Sequence, residues 1–248
     1  MPHLTIGLQT IAYEIRRSAR AKRLRLTVGP GGVEVVIPER ARDAEVRVFI
    51  DSHRGWIRSK VEKYQTSMAR YQGPAQLVDG ARIPFRGEPT PLVVTLAERV
   101  YPRVVEGDGF RVELPRDLPA GDQETATELA LTRYLKRQAR EDAWLSIERY
   151  GPPNQLVPSA LRIKDQKRLW GSCTAANVIS LNWRLILAPV DVFDYVVVHE
   201  LCHIRHRHHQ PPFWRAVAKV MPDFERHRHW LKQNGHLLTL KRTSNFEA

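Results

Sequence analysis

Residues 196–214 read VVVHELCHIRHRHHQPPFW. The apolar residues Phe193, Val196 and Val197 lead into His199-Glu200-Leu201-Cys202-His203, and Pro211-Pro212 closes the segment. Four residues of helix turn the chain through about 400°, so His199 and His203 share a face one turn apart. Two imidazoles placed this way can hold one metal at about 2.0–2.1 Å each. Glu200 lies beside them, within reach of a proton on metal-bound water. With ten histidines in 248 residues, chance would supply this pattern only about 0.03 times.

A catalytic metal needs a third protein ligand and an open fourth position. His206, His208 and His209 are the near candidates, with His227, His229 and His236 further on. His206 would stay on the same helical cylinder. His209, six residues after His203, allows the chain to leave the helix and swing back, so it is the expected third ligand. Metzincin motifs have the same interval, with Gly at the turn where this chain has His206. Asp191 is the expected N-cap of the helix, which is read through Val192 to Arg205. Phe213, Trp214 and Trp230 are read as packing against it, and Met221 as a core residue. Asp223 is read either as orienting a ligand imidazole or as capping its own helix.

Outward from this segment, Leu161–Lys164 and Val178–Trp183 read as strands, and residues 123–150 as a long helix stopped by Gly151-Pro152-Pro153. Earlier still, Arg82–Phe85, Leu92–Leu96 and Phe110–Leu114 read as short strands. Residues 42–71 read as one amphipathic helix with Val46, Phe49, Ile50, Trp56, Ile57 and Val61 on its apolar face. Ile11–Arg17, Arg23–Val28 and Val33–Ile37 read as strands, with Gly29-Pro30-Gly31-Gly32 as a hairpin turn. The fold class expected is α+β. A β-rich region with one helix spans residues 1–120, and a mostly helical metal-bearing region spans 121–248. No fixed-period repeat is visible.

Composition narrows the class. Hydrophobic residues are 42% and charged residues 27%, which suits a packed globular chain rather than a disordered or fibrous one. No run of about 18 apolar residues occurs, so no membrane-spanning helix is expected. Cys173 and Cys202 are the only cysteines, too few for a disulfide framework. Both are read as reduced, buried or turn-associated groups. The opening Met-Pro-His-Leu-Thr has no basic-then-apolar leader pattern, and a cytoplasmic location is expected. The net charge is +12. The bases Arg16, Arg17, Arg20, Lys22, Arg23 and Arg25 follow one another with no acid between them. They form either a solvated strand edge or a surface for nucleic acid.

Several stretches together resemble the YgjP-like metallopeptidase family, which is related to the SprT-like and WLM-type minimal zincins. They are His199–His203 with His209 and Phe213-Trp214, and Arg168-Leu169-Trp170-Gly171-Ser172-Cys173. Ser180-Leu181-Asn182-Trp183-Arg184-Leu185, Leu187-Ala188-Pro189, and Pro222-Asp223 with Trp230-Leu231 belong with them. Towards the N-terminus the likeness takes in Arg16–Leu26, Val33–Pro38 and Gly87-Glu88. Leu169, between Arg168 and Trp170, is a minor departure from the family pattern. The resemblance implies a minimal zincin-like C-terminal domain with its metal site on a helix. It also implies a zinc-dependent hydrolase, with His199, His203 and His209 binding Zn²⁺ and Glu200 as general base.

A metallopeptidase acting on peptides or proteins is the leading expectation. Two alternatives are a nucleoside triphosphate pyrophosphohydrolase and a nucleic-acid-binding protein with a metal site. Arg184, His227 and Arg168 are the candidate contacts to substrate or transition state.

Overall fold

The computed structural model describes residues 2–6, 9–29, 32–68, 71, 73–166 and 168–242. The chain divides into two compact units, Met1–Tyr71 with Arg242–Ala248, and Gln72–Lys241.

In the first unit, β1 (His3–Ile6), β2 (Gln9–Ser18), β3 (Arg25–Gly29) and β4 (Gly32–Pro38) form one sheet in the order β1-β2-β4-β3. β2 and β4 run parallel; the outer strands are antiparallel to their neighbours. The turn expected between β3 and β4 includes Pro30 and Gly31, which lie outside the described residues. Its flanks, Gly29 and Gly32, are paired in register. Two helices follow, α1 (Asp43–Ser52) and α2 (Arg54–Met68), where one helix over 42–71 was expected. The break comes at His53, where local side chains compete for the last carbonyls of α1. Ser52 Oγ donates to the Phe49 carbonyl at 2.9 Å, and His53 Nδ1 lies 2.7 Å from the same oxygen. Val46, Ile50, Ile57 and Val61 bury against Val33, Val35 and Ile37 of the sheet. The run of bases on β2 finds acids from other elements: Arg16 pairs with Glu34 and Arg17 with Asp43.

The second unit opens with the same strand order. β5 (Arg82–Phe85), β6 (Glu88–Ala97), β7 (Arg103–Gly107) and β8 (Gly109–Pro115) form a sheet ordered β5-β6-β8-β7, with β6 and β8 parallel. The long helix α3 (Ala120–Tyr150) follows. A second sheet contains β9 (Ala160–Lys164), β10 (Gly171–Cys173) and β11 (Val178–Asn182), ordered β10-β11-β9. The unit ends in α4 (Val190–Cys202), α5 (Pro211–Val220) and α6 (Phe224–Asn234). One core joins all of it. Ile83, Leu92, Val112 and Leu114 of the first sheet bury with Leu131 and Leu135 of α3, Ile179 and Leu181 of β11, and Val197 and Leu201 of α4. A boundary near residue 120 would cut through this core, so the division falls instead at Tyr71.

Helix α4 is buried almost all round, from Val192 to Val198 and at Glu200, Leu201 and Cys202, which accounts for a sequence that is apolar around nearly the whole helix apart from Asp194. Its N-cap is Pro189, not the expected Asp191; the amides of Val192 and Phe193 donate to the Pro189 carbonyl at 3.0 and 3.1 Å. Asp191 instead sits in the first turn, where a carboxylate faces the positive end of the helix dipole. The β5–β6 turn fixes this end of the helix. Arg86 donates its amide to the Ile186 carbonyl at 2.8 Å and grips Asp142 of α3 with two bonds of 2.8 and 2.9 Å. Gly87, at φ +88°, lies flat on Pro189: a Cβ there would come within 2.9 Å of the Pro189 Cα. Further along, the buried Asp194 receives Arg149 and Tyr150 from the end of α3, each at 3.3 Å. Burial nonetheless raises the Asp194 carboxyl's affinity for its proton.

Gly87→Ala combines a left-handed backbone with a collision at the start of α4. It is expected to destabilise the protein by about 2 kcal/mol or more. Urea unfolding followed by circular dichroism measures it.

Candidate metal centre

Helix α4 ends at Cys202, earlier than the expected Arg205, with His203 as its C-cap. The chain then tightens: the amides of Ile204, Arg205 and His206 donate to the carbonyls of Leu201, Cys202 and Cys202 at 3.0, 3.2 and 3.0 Å. After that turn it doubles back. His199 and His203 stand one above the other with ring centroids 5.0 Å apart. His209 returns to meet both: its Nε2 is 2.9 Å from His199 Nε2 and 3.1 Å from His203 Nε2. Among the described residues with left-handed backbone, the non-glycines are Arg86, Gln155 and Asn177. His206 therefore makes this turn in ordinary geometry, and no glycine is required there.

The donor set suits a cation. Ligand atoms of the three histidines all lie within 4.8 Å of one another. Tetrahedral bonds of 2.0–2.1 Å place nitrogens about 3.3 Å apart, close to the spacings found. His203 Nδ1 lies 2.8 Å from the His206 carbonyl; its proton goes there, which leaves the Nε2 lone pair facing the other two rings. One proton on His209 Nε2 cannot point at both partners, so lone pairs are left facing each other until a positive centre is shared among them. Burial, reinforced by the neighbouring imidazoles, pushes His199 down to about 3 and also lowers His203. Both rings are thus neutral, as metal ligation requires.

Aromatic rings hold the histidines in place. Phe213, fully buried, stacks on His203 at 4.5 Å and meets His199 and His209 edge-on at 4.9 and 4.8 Å. Trp214 stacks on His209 at 5.6 Å and donates its indole N–H to the His209 carbonyl at 3.2 Å. The packing role expected of this pair therefore falls on the histidines themselves.

Glu200 is 5% exposed. Its Oε2 has no hydrogen-bond partner among the described residues, and burial pushes the carboxyl from its ordinary 4.5 up to about 8. Above it runs β10. A Cβ on Gly171 would lie 2.5–2.8 Å from the Glu200 carboxyl and Cγ, so the strand can pass this close only without a side chain. Asn182, also buried, holds the approach to β10 by donating to the carbonyls of Gln166 and Leu169 at 2.6 and 3.2 Å. Cys202 is core-packed, with burial raising its thiol to about 12.

The other expected contacts are engaged elsewhere or open to solvent. Arg184 forms a close ion pair with Asp165 and lies over Trp183 at 4.8 Å. His227 is buried against Asp223, Nε2 to Oδ2 3.1 Å. Asp223 is the N-cap residue of α6, as one of its two readings expects, with its backbone carbonyl accepting from the Arg226 amide at 3.0 Å and no side-chain cap bond; its carboxylate meets His227 rather than one of the three clustered imidazoles. Arg168 is exposed. Gly171, within the stretch Arg168–Cys173 singled out from the sequence and read there as a glycine for close approach, packs against Glu200. Two residues not singled out also matter. Arg228 stacks over Trp214 at 4.4 Å, and its charge helps lower His199. Arg207 grips the β10–β11 turn. Neither had a signal in the linear chain, because each acts on a residue distant in sequence or through backbone atoms.

The fold and site together define a mixed α/β chain with a candidate three-histidine metal centre. The chain matches the YgjP-like metallopeptidase domain over residues 22–234 and belongs to that family. Among solved structures, it is similar to the crystal structure of the metallopeptidase zymogen of Pyrococcus abyssi abylysin. That similarity has 20% identity and a TM-score of 0.32, over 38% of this chain and 93% of that one. No curated protein matches the chain.

The shifts of His199 and Glu200 oppose one another in the metal-free protein. Folded His199 holds fewer protons than the unfolded chain between about 3 and its ordinary 6.5, so its contribution is lost as pH falls below 6.5. Folded Glu200 holds its proton up to about 8 against an ordinary 4.5, so its contribution is lost as pH rises through that window. Glu200→Gln removes the second effect. Relative to wild type in chelator, the variant should gain stability as pH rises from 4.5 to 8, with a slope approaching about 1.4 kcal/mol per pH unit. Urea unfolding at pH 5, 6.5 and 8 tests this, and a difference independent of pH would refute it.

Proposed function

We propose that this chain is a zinc-dependent peptidase in which His199, His203 and His209 hold the metal and Glu200 is the general base. The observation that carries this reading is the convergence of three Nε2 atoms beside a buried, partnerless carboxyl oxygen. Three imidazoles suit zinc and leave a coordination position open. Zinc bound there would supply a Lewis acid and bring the pKa of bound water towards about 7. Glu200 would take the proton from the attacking water and pass it to the leaving amine. A carboxyl raised towards neutrality by its surroundings suits both halves of that transfer.

The neighbouring strand favours a peptide as substrate. β10 stands at the edge of its sheet, paired with β11 on one side, and passes directly over Glu200. An unpaired strand edge offers N–H and C=O groups to an extended chain. The alternative, a nucleoside triphosphate pyrophosphohydrolase, rests on the +12 charge and has no comparable feature at the site. The N-terminal unit, with its basic strand, would serve as a substrate- or partner-binding module in a cytoplasmic enzyme. Nucleic acid is among the partners to test.

Wild type should carry one zinc per chain by elemental analysis, and His209→Ala should lose most of it. Glu200→Gln should keep the metal and lower turnover of a fluorogenic peptide library by about 10²–10⁴-fold; full retained activity would reassign the base. Gly171→Ala should also retain metal but lose turnover, because the new methyl group displaces the Glu200 carboxyl. Pyrophosphate release from nucleoside triphosphates that is abolished by chelation, with no peptide cleaved, would favour the alternative.

A further inference from the structure

The loop that brings His209 back to the helix is held at several points: Arg205 Nη2 donates to Gln155 Oε1 at 3.0 Å, Trp214 donates to the His209 carbonyl, and Arg207 ties its middle to the neighbouring sheet. Arg207 Nη1 donates to the Thr174 carbonyl at 2.7 Å and lies 3.6 Å from Cys173 Sγ. Its Nη2 donates to the Ala175 carbonyl at 3.3 Å and to the side-chain oxygen of Asn177. All of these acceptors belong to the end of β10 and the turn into β11.

That turn is already closed without Arg207. The Asn177 amide donates to the Thr174 carbonyl at 2.9 Å, Thr174 Oγ1 accepts from the Val178 amide at 3.1 Å, and the Ser159 amide donates to the Asn177 carbonyl at 3.0 Å. Asn177 adopts a left-handed backbone at φ 56°, one of the few such positions an asparagine takes readily. The guanidinium therefore meets a rigid, preformed set of oxygens. Its planar fork matches several divergent acceptors at once, which a lysine ammonium does not.

Arg207 also sits at the centre of the ligand segment. One residue before it, the His206 carbonyl accepts from His203 Nδ1; two residues after it, His209 closes the cluster. The same turn continues β10, the strand that covers Glu200.

We infer that Arg207 is a positioning residue for the metal centre: by clamping the 203–209 loop to the β10–β11 turn, it sets the approach of His209. This rests on the reading that the three histidines hold a metal. The alternative is that Arg207 only stabilises an exposed loop.

The test measures zinc and cobalt(II) affinity by competition with a chromophoric chelator. The proteins are full-length wild type, Arg207→Ala, Arg207→Lys, His209→Ala and the double variant Arg207→Ala/His209→Ala. Arg207→Ala should weaken zinc binding about tenfold or more and alter the cobalt d–d spectrum, with little change in the metal-free unfolding midpoint. Arg207→Lys should recover only part of the loss. In the His209→Ala background, removing Arg207 should cost almost nothing further, because its action runs through the missing ligand. Wild-type affinity and spectrum in Arg207→Ala would overturn the inference, as would an equal loss in both backgrounds. If Arg207→Ala does not fold, Asn177→Gly removes one acceptor of the same clamp while tolerating the left-handed backbone there, and is judged by the same criteria. A wild type that binds neither metal overturns the metal reading itself. That result is distinct from one in which wild type binds, His209→Ala does not, and Arg207→Ala matches wild type.

Discussion

The candidate site depends on three imidazoles and one buried carboxyl packed against each other at the end of α4. Their nitrogen lone pairs face one another across about 3 Å, and the carboxyl beside them is favoured in its protonated form. Hydrogen bonding among the three rings can satisfy one pair at most; the cluster persists because its surroundings fix it. Phe213 wedges among the three rings, Trp214 holds the His209 backbone, and the helix is enclosed by hydrophobic side chains on nearly every face. A shared cation would turn that mutual repulsion into coordination. The Arg86–Asp142 and Asp194–Arg149 contacts, at some distance from the rings, matter because they hold the helix against α3 and the strands before it.

The two units share one strand order, a hairpin, a parallel pair and a second hairpin, each followed by helix. In the second unit that module does not stand alone: its sheet shares a core with α3 and α4, and its β5–β6 turn rests on the N-cap of α4, the helix that carries His199 and His203. The β-rich part of this unit is therefore structural support for the site, and the stretch between residues 72 and 119 belongs with the histidines rather than with the first seventy residues.

Much of the site was legible in the sequence because helical periodicity is a local property. The spacing of His199, Glu200 and His203 fixes their relative placement on any helix, and a six-residue interval with prolines beyond it implies a chain that turns back, which His209 does. Strand runs rich in branched residues were found within a residue or two, as at β4, β9 and β11. What escaped were features settled by distant partners. β10 is three residues long and carries no alternation; it is a strand because β11 pairs with it. The helix over 42–71 broke where Ser52 and His53 captured a carbonyl. The boundary near residue 120 followed a change in texture, whereas the real division follows the shared core. The repeated strand order left no fixed period, since topology can recur while spacing and residues differ. Arg184 and His227 looked available until the fold supplied Asp165 and Asp223.

Gly171 has a consequence for how this protein can vary over evolutionary time. Any other amino acid would place a carbon where the Glu200 carboxyl now lies, so a replacement there must push that carboxyl aside. Selection on the position of Glu200 would therefore register at a neutral-looking glycine on another element. The two positions are expected to be inherited as a pair: a lineage that replaced the glutamate would free the glycine to drift, and a lineage that filled the glycine could keep the glutamate only by rebuilding the strand above it.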